Sequence, residues 1–262
     1  MNIPVRALGR SPGLIAFLDY DGSLVGLRNR PELARLSHPR RDLLKKLGRT
    51  ALVVVVTGRS VAEVRRLIGI PSLDCIGNHG FEIAHGDRSW VHPGAEECRA
   101  VLRSVLRRIR ARSAGRDGVL VEDKGLTAGV HYRLLDPARV DWLMSVVLEE
   151  IGREAGSLRA TFGKKVIEIR PNADWNKGRG VLEYIRWLGP EPGRRVVYIG
   201  DDRTDEDAFR ALRGRGTTIV VGRAEGSAAE FSVRGVNQVW SLLRELAALR
   251  SSRKIHPAPR RR

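Results

Sequence analysis

The chain has 262 residues, 42% of them hydrophobic, and a formal charge of +17 from 47 basic and 30 acidic side chains. That length and apolar content suit one large folded domain or two modest ones and exclude a disordered chain. No run approaches the roughly 18 apolar residues of a membrane-spanning helix, and Met1-Asn2-Ile3-Pro4-Val5-Arg6 lacks the basic-then-apolar build of a signal peptide. A cytoplasmic protein with no membrane partner is expected, with Cys75 and Cys98 as reduced thiols in core segments.

Leu14 to Leu18 is a continuous apolar run, the pattern of a strand buried on both faces of a parallel sheet. It delivers Asp19-Tyr20-Asp21-Gly22. Two carboxylates two residues apart have no place in a core, whereas the carboxyl end of such a strand is where an open α/β sheet places ligands. Taken alone, the tetrad also fits an Asp-Gly turn. A helix over 39–47, an apolar strand Leu52–Val56 running into Thr57-Gly58-Arg59, a helix over 61–68 and a strand over 73–77 continue a βαβ rhythm. Asn78-His79-Gly80-Phe81-Glu82 follows the last of these.

From about residue 84 to 172 the rhythm changes to strand, helix (96–112), strands 119–122 and 127–134, helix (137–153), and strands 158–162 and 166–170. Short connections such as Asp123-Lys124-Gly125 predict an antiparallel α+β module. In its first helix Val101, Leu102, Val105, Leu106 and Ile109 make an apolar face, and Arg99, Arg103, Arg107 and Arg110 a solvated one. After Pro171 the βαβ pattern resumes with helix 177–188, strand 196–200, helix 205–212, strand 217–221 and a closing helix near 239–249. The expected organisation is a core in two halves, residues 1–83 and 173–250, with a cap domain over 84–172 and a disordered basic tail over 251–262.

Three strands thus end in polar or acidic loops: Asp19 to Gly22, Thr57 to Arg59, and Gly200-Asp201-Asp202-Arg203-Thr204-Asp205-Glu206-Asp207. Such a set suits a phosphate monoester, whose negative charge repels nucleophiles until it is neutralised and the attack is held in line. Asp19 is the candidate nucleophile and Asp21 the candidate acid and base. Mg²⁺ is the expected cofactor, on Asp19, Asp21 and Asp201, with Asp202 and Asp205 behind them. Thr57, Gly58 and Lys177 are the candidate phosphate-binding residues. Lys177 beside Asn176 and Gly178 opposes the dipole of the helix it begins, which argues for an anionic partner.

These four segments resemble the motifs of the haloacid dehalogenase superfamily, and an insertion between the second and third resembles its C2-type cap. Gly77-Asn78-His79-Gly80-Phe81-Glu82, Val121-Glu122-Asp123-Lys124, His131-Tyr132-Arg133 and Gly163-Lys164-Lys165-Val166-Ile167-Glu168-Ile169-Arg170-Pro171 are similar to segments of the trehalose-6-phosphate phosphatases, over roughly residues 13–245. Ser23 and Thr127 depart conservatively from that pattern. The resemblance implies a Rossmann-like core with a parallel sheet, an inserted α+β cap, and Mg²⁺-dependent hydrolysis of trehalose 6-phosphate through an aspartyl-phosphate. It also implies a trehalose-6-phosphate synthase as a partner. Glu122, Lys124 and Glu168 are then the expected sugar contacts. Strand alternation puts Glu168 on the face opposite Ile167 and Ile169, where it could lie over the phosphate site; surface ion pairs are the alternative for these residues.

Two other functions remain open to the sequence. One keeps the chemistry and changes the substrate to sucrose 6-phosphate or mannosyl-3-phosphoglycerate. The other is nucleic-acid binding by the +17 charge. That charge comes from 40 Arg and 7 Lys spread along the chain, so weak, non-specific binding is expected.

Overall fold

The computed structural model describes residues 3–27, 31–154 and 156–252. A short helix α1 (Val5–Gly9) precedes β1 (Leu14–Asp19), α2 (His38–Gly48), β2 (Leu52–Val56), α3 (Val61–Ile68), β3 (Asp74–Gly77), β4 (Glu82–His85) and β5 (Arg88–Val91). The insertion carries α4 (Pro93–Glu97), α5 (Arg99–Ser113), β6 (Leu120–Asp123), β7 (Ala128–His131), α6 (Val140–Gly152), β8 (Leu158–Gly163) and β9 (Val166–Pro171). The chain closes with α7 (Lys177–Leu188), β10 (Arg195–Gly200), α8 (Glu206–Ala211), β11 (Thr217–Val221), β12 (Phe231–Val233) and α9 (Val236–Ser251).

Among the described residues eight strands form one sheet in the order β12-β11-β10-β1-β2-β3-β4-β5. It is parallel from β12 to β3, and β4 joins antiparallel. Successive residues of β1 explain its unbroken apolar run. Ile15 and Phe17 pack with Val181 and Tyr184 of α7 and Phe209 of α8, while Ala16 and Leu18 join Leu44 of α2, Val64 of α3 and Leu243 of α9. A strand covered by helices on both faces has no position for a polar side chain until it ends. Because β1 lies between β10 and β2, the strand order reverses there, and the carboxyl ends of β1 and β10 border the crevice of the sheet.

The inserted strands make a separate antiparallel sheet in the order β6-β7-β9-β8. Ala128, Val130, Ile167 and Ile169 pack against Leu102, Val105 and Leu106 of α5 and Leu143 and Val147 of α6. Glu122, Gly129 and Glu168 stand in register on the other face.

The chain divides into two compact units, one of the segments up to Trp90 and from Trp175 onward, the other Val91–Asp174. These divisions differ from the expected 83/84 and 172/173, because β4 pairs with β3 and carries β5 into the first unit's sheet. The helix expected over 96–112 is two helices meeting at Cys98, and the strand expected to reach 134 stops at His131, where the Leu135 N–H turns back to the Tyr132 carbonyl. Neither α1 nor β12 was expected from the sequence. Of the tail expected to be disordered, Ser251 ends α9 and the part beyond Ser252 lies outside the described residues. No helix among the described residues is long and apolar enough to cross a membrane.

Candidate active site

β1 ends on Asp19, whose side chain is 5% exposed, and the loop after it turns at Gly22 with φ +96°. A side chain at Gly22 would bring its Cβ to 2.0 Å from Asp201 Oδ2, so glycine is what lets the loop after β10 lie against the loop after β1.

Lys177 reaches the same place from α7. Asn176 caps that helix, its side-chain oxygen accepting from Arg179 N–H at 3.0 Å, which leaves Lys177 as the first helical residue. Its ammonium is buried and donates to Asp19 Oδ1 and Asp205 Oδ1, each at 2.8 Å. Burial works against its charge, but Asp19 and Asp205 outweigh that and hold the ammonium well above the usual lysine range. The unfavourable placement at a helix start is thus offset by two carboxylates.

Asp205 is saturated. Its Oδ1 also accepts from the Tyr198 hydroxyl at 2.7 Å, and its Oδ2 accepts from the backbone N–H groups of Asp201 and Asp202 at 3.0 Å. Burial and the Asp205 charge hold the Tyr198 phenol well above the usual tyrosine range, so it stays a donor. Asp202 is exposed, and it meets this group through its backbone, while its carboxylate accepts from Arg203 N–H at 2.6 Å.

Ligand atoms of Asp19, Asp201 and Asp205 lie within 4.8 Å of one another. Asp19 Oδ2 and Asp201 Oδ1 are buried without a hydrogen-bond partner. Burial, Asp205 and Asp201 push Asp19 well above the carboxylate range against the pull of Lys177, and burial and Asp205 push Asp201 up to about 7. Three carboxylates share one ammonium in a desolvated place, and the unclaimed donors are oxygen. This set fits a hard divalent cation held by Asp19 and Asp201, with Asp205 ordering the site behind them.

The Asp21 carboxylate lies outside this acidic group. Arg59 grips it with two bonds, Nε to Oδ2 at 2.7 Å and Nη2 to Oδ1 at 2.9 Å, and Arg59 Nη1 also bonds Glu63. Thr57 is buried after β2; its Oγ1 accepts from Arg59 N–H at 3.1 Å, which leaves the hydroxyl proton to donate. Asn78 and His79 fasten this loop, their N–H groups donating to the Arg59 and Thr57 carbonyls at 2.7 and 3.0 Å.

In the second unit Lys124 Nζ donates to both oxygens of Glu168, at 3.1 and 3.3 Å, and stands 3.9 Å from Glu122 Oε2. Glu122 Oε2 is 2.8 Å from His131 Nε2. The three expected sugar contacts therefore form one cluster with His131.

Arg59, Tyr198 and His131 received no role from the sequence. Arg59 sits inside a segment already singled out, Tyr198 is masked by the apolar run of its strand, and His131 shares a face with Gly129 by the two-residue period of β7.

The sequence matches the family described as Trehalose-phosphatase over residues 17–237. It is 38% identical over 255 residues to a Mycobacterium tuberculosis protein named an uncharacterized glycosyl hydrolase, a match that takes in 91% of this chain and 18% of that one. With the trehalose-phosphate phosphatase of the same organism it shares 33% identity over 270 residues, 98% of this chain and 67% of that one. The crystal structure of a trehalose-6-phosphate phosphatase related protein superposes with a TM-score of 0.82 at 26% identity, covering 92% of this chain and all of the other. With the buried acid and lysine group at the end of β1, these likenesses identify the chain: it belongs to the trehalose-phosphatase family, a family of phosphoric monoester hydrolases with a haloacid dehalogenase-like fold.

Proposed function

We propose that the chain hydrolyses trehalose 6-phosphate to trehalose and inorganic phosphate, with Mg²⁺ bound, through an aspartyl-phosphate on Asp19. The observation that carries this reading is the buried group of the Asp19, Asp201 and Asp205 carboxylates around Lys177, at the point where the strand order reverses.

In this reading an Asp19 oxygen attacks phosphorus, the bond to the sugar oxygen breaks, and Asp21 gives that oxygen a proton. Asp21 then takes a proton from water, whose oxygen attacks phosphorus and returns Asp19 to a carboxylate. Lys177 offsets the charge that gathers on Asp19 and the phosphoryl oxygens, and the Thr57 hydroxyl and Gly58 N–H hold those oxygens. Magnesium would be held by Asp19 and Asp201, with Asp21 as the third expected ligand, and would supply the positive charge that lets a carboxylate approach a phosphate dianion. Glu122, Lys124 and Glu168 would bind sugar hydroxyls, since carboxylates accept from them and an ammonium donates to them. The reading calls for a synthase that supplies the sugar phosphate. It also includes a cytoplasmic location, supported by Cys75 and Cys98 remaining unpaired thiols.

Phosphate release from a panel of sugar phosphates tests it. Trehalose 6-phosphate should give the highest kcat/KM, and Glu122→Ala, Lys124→Ala or Glu168→Ala should lower its kcat/KM relative to that for p-nitrophenyl phosphate by roughly tenfold to a hundredfold. A wild type that preferred sucrose 6-phosphate or mannosyl-3-phosphoglycerate would overturn the choice of sugar.

A further inference from the structure

We propose that His131 is a positioning residue for the sugar end of the substrate, fixing the Glu122 carboxylate so that it accepts from a sugar hydroxyl, and that Gly129 provides the space in which the pair sits. The inference rests on the assignment of Glu122, Lys124 and Glu168 to sugar binding.

The register places Glu122 of β6, Gly129 of β7 and Glu168 of β9 in one row across the sheet. The two glutamates are therefore two strand spacings apart, on the order of 10 Å between Cα atoms. Their surroundings differ. Lys124 binds both oxygens of Glu168, but it stands 3.9 Å from Glu122, beyond hydrogen-bond range. His131 Nε2, at 2.8 Å from Glu122 Oε2, is a contact that orients that carboxylate.

His131 follows Gly129 by two residues on the same strand, so both face the row that holds Glu122 and Glu168. A Cβ at position 129 would stand 3.0 Å from His131 Nε2 and 3.4 Å from Glu122 Oε2. A methyl group there would require the imidazole to give by a few tenths of an ångström while only touching the carboxylate, and a longer side chain would take up the space of both. The terminal torsion of a glutamate is broad, and a carboxylate with one oxygen tied to an imidazole N–H has already lost that freedom before a ligand arrives. The chemistry at this point selects a polyhydroxylated ring, because an oriented carboxylate recognises a hydroxyl donor and gains nothing from a flat aromatic ester.

The test is steady-state kinetics of the full chain with Mg²⁺, on trehalose 6-phosphate and p-nitrophenyl phosphate, for His131→Ala, His131→Gln, Gly129→Ala, Glu122→Ala and the double variant His131→Ala with Glu122→Ala. For His131→Ala the ratio of kcat/KM between the sugar phosphate and the aromatic ester should fall roughly tenfold, chiefly through KM for the sugar phosphate. His131→Gln, whose side-chain amide can place an N–H where Nε2 stands, should recover most of that ratio, and Gly129→Ala should lower it. On the Glu122→Ala background, loss of His131 should add nothing, since no carboxylate remains to be held. Losses that add in the double variant, or an equal fall on both substrates, would overturn the inference while leaving Glu122 as a sugar contact. Normal trehalose 6-phosphate kinetics in Glu122→Ala would remove the sugar-binding assignment itself, and the inference with it.

Discussion

Lys177 Nζ lies 2.8 Å from Asp19 Oδ1, a pair joined across 158 residues of sequence and buried on both sides. Removing Asp19 leaves Lys177 its bond to Asp205, whereas removing Lys177 leaves both carboxylates without their ammonium. Asp19→Asn keeps the volume and a polar contact, so it should leave the fold intact and abolish phosphate release. Lys177→Met strands two carboxylates and should destabilise the protein by about 3–5 kcal/mol as well as inactivating it. Circular dichroism melts beside activity assays separate the two cases. An Asp19→Asn protein that kept a tenth of the activity would rule out Asp19 as nucleophile.

Gly22→Ala should be costly despite adding a single methyl group. The new Cβ would need the left-handed backbone at φ +96° and would stand 2.0 Å from Asp201 Oδ2. The expected loss is about 1–3 kcal/mol of stability, with weaker Mg²⁺ binding. Titration of Mg²⁺ against melting temperature reads both.

Asp201 gives the metal-free protein a pH dependence of definite sign. Its carboxyl moves from an ordinary 3.8 to about 7, so between those values the folded state holds a proton that the unfolded chain releases. The group's contribution therefore turns against the fold as pH rises from about 4, and the cost is complete above about 7. In EDTA, Asp201→Asn should melt at a higher temperature than the parent at pH 8, and the two should converge towards pH 4. Saturating Mg²⁺ should stabilise the parent at pH 8 by about 2.7 kcal/mol at a hundredfold excess over its Kd. A parent and variant with the same pH profile in EDTA would contradict the buried charge.

Arg59→Ala should act through Asp21. With both Arg59 bonds gone, the carboxylate proposed to protonate the leaving sugar oxygen loses its fixed place. The rate on trehalose 6-phosphate, whose alkoxide is a poor leaving group, should fall by about tenfold to a hundredfold, and more than the rate on p-nitrophenyl phosphate. Equal losses on the two esters would assign Arg59 to holding the loop after β2 and not to proton transfer.

Features that depend on local order are legible in the residues alone. The apolar run Leu14–Leu18 with Asp19 behind it reads as a strand buried on both faces and ending at a crevice, and β1 is that strand. The change of rhythm near residue 84 reads as an inserted antiparallel module, and β6-β7-β9-β8 form one, although the passage into it is later because β4 and β5 complete the larger sheet. Which charges meet is a matter of packing. The order of the acidic loop already sets Asp201 ahead of Asp205, but not the partners: Tyr198, Lys177 and two backbone N–H groups satisfy Asp205 completely, while Asp201 Oδ1 stays without a partner. Arg59 takes Asp21 from 38 residues away, and His131 takes Glu122 across neighbouring strands. Periodicity and turn chemistry are set by neighbours along the chain and can be read from it, whereas the partner of a buried charge depends on strand order, register and helix placement, which exist only once the chain has packed.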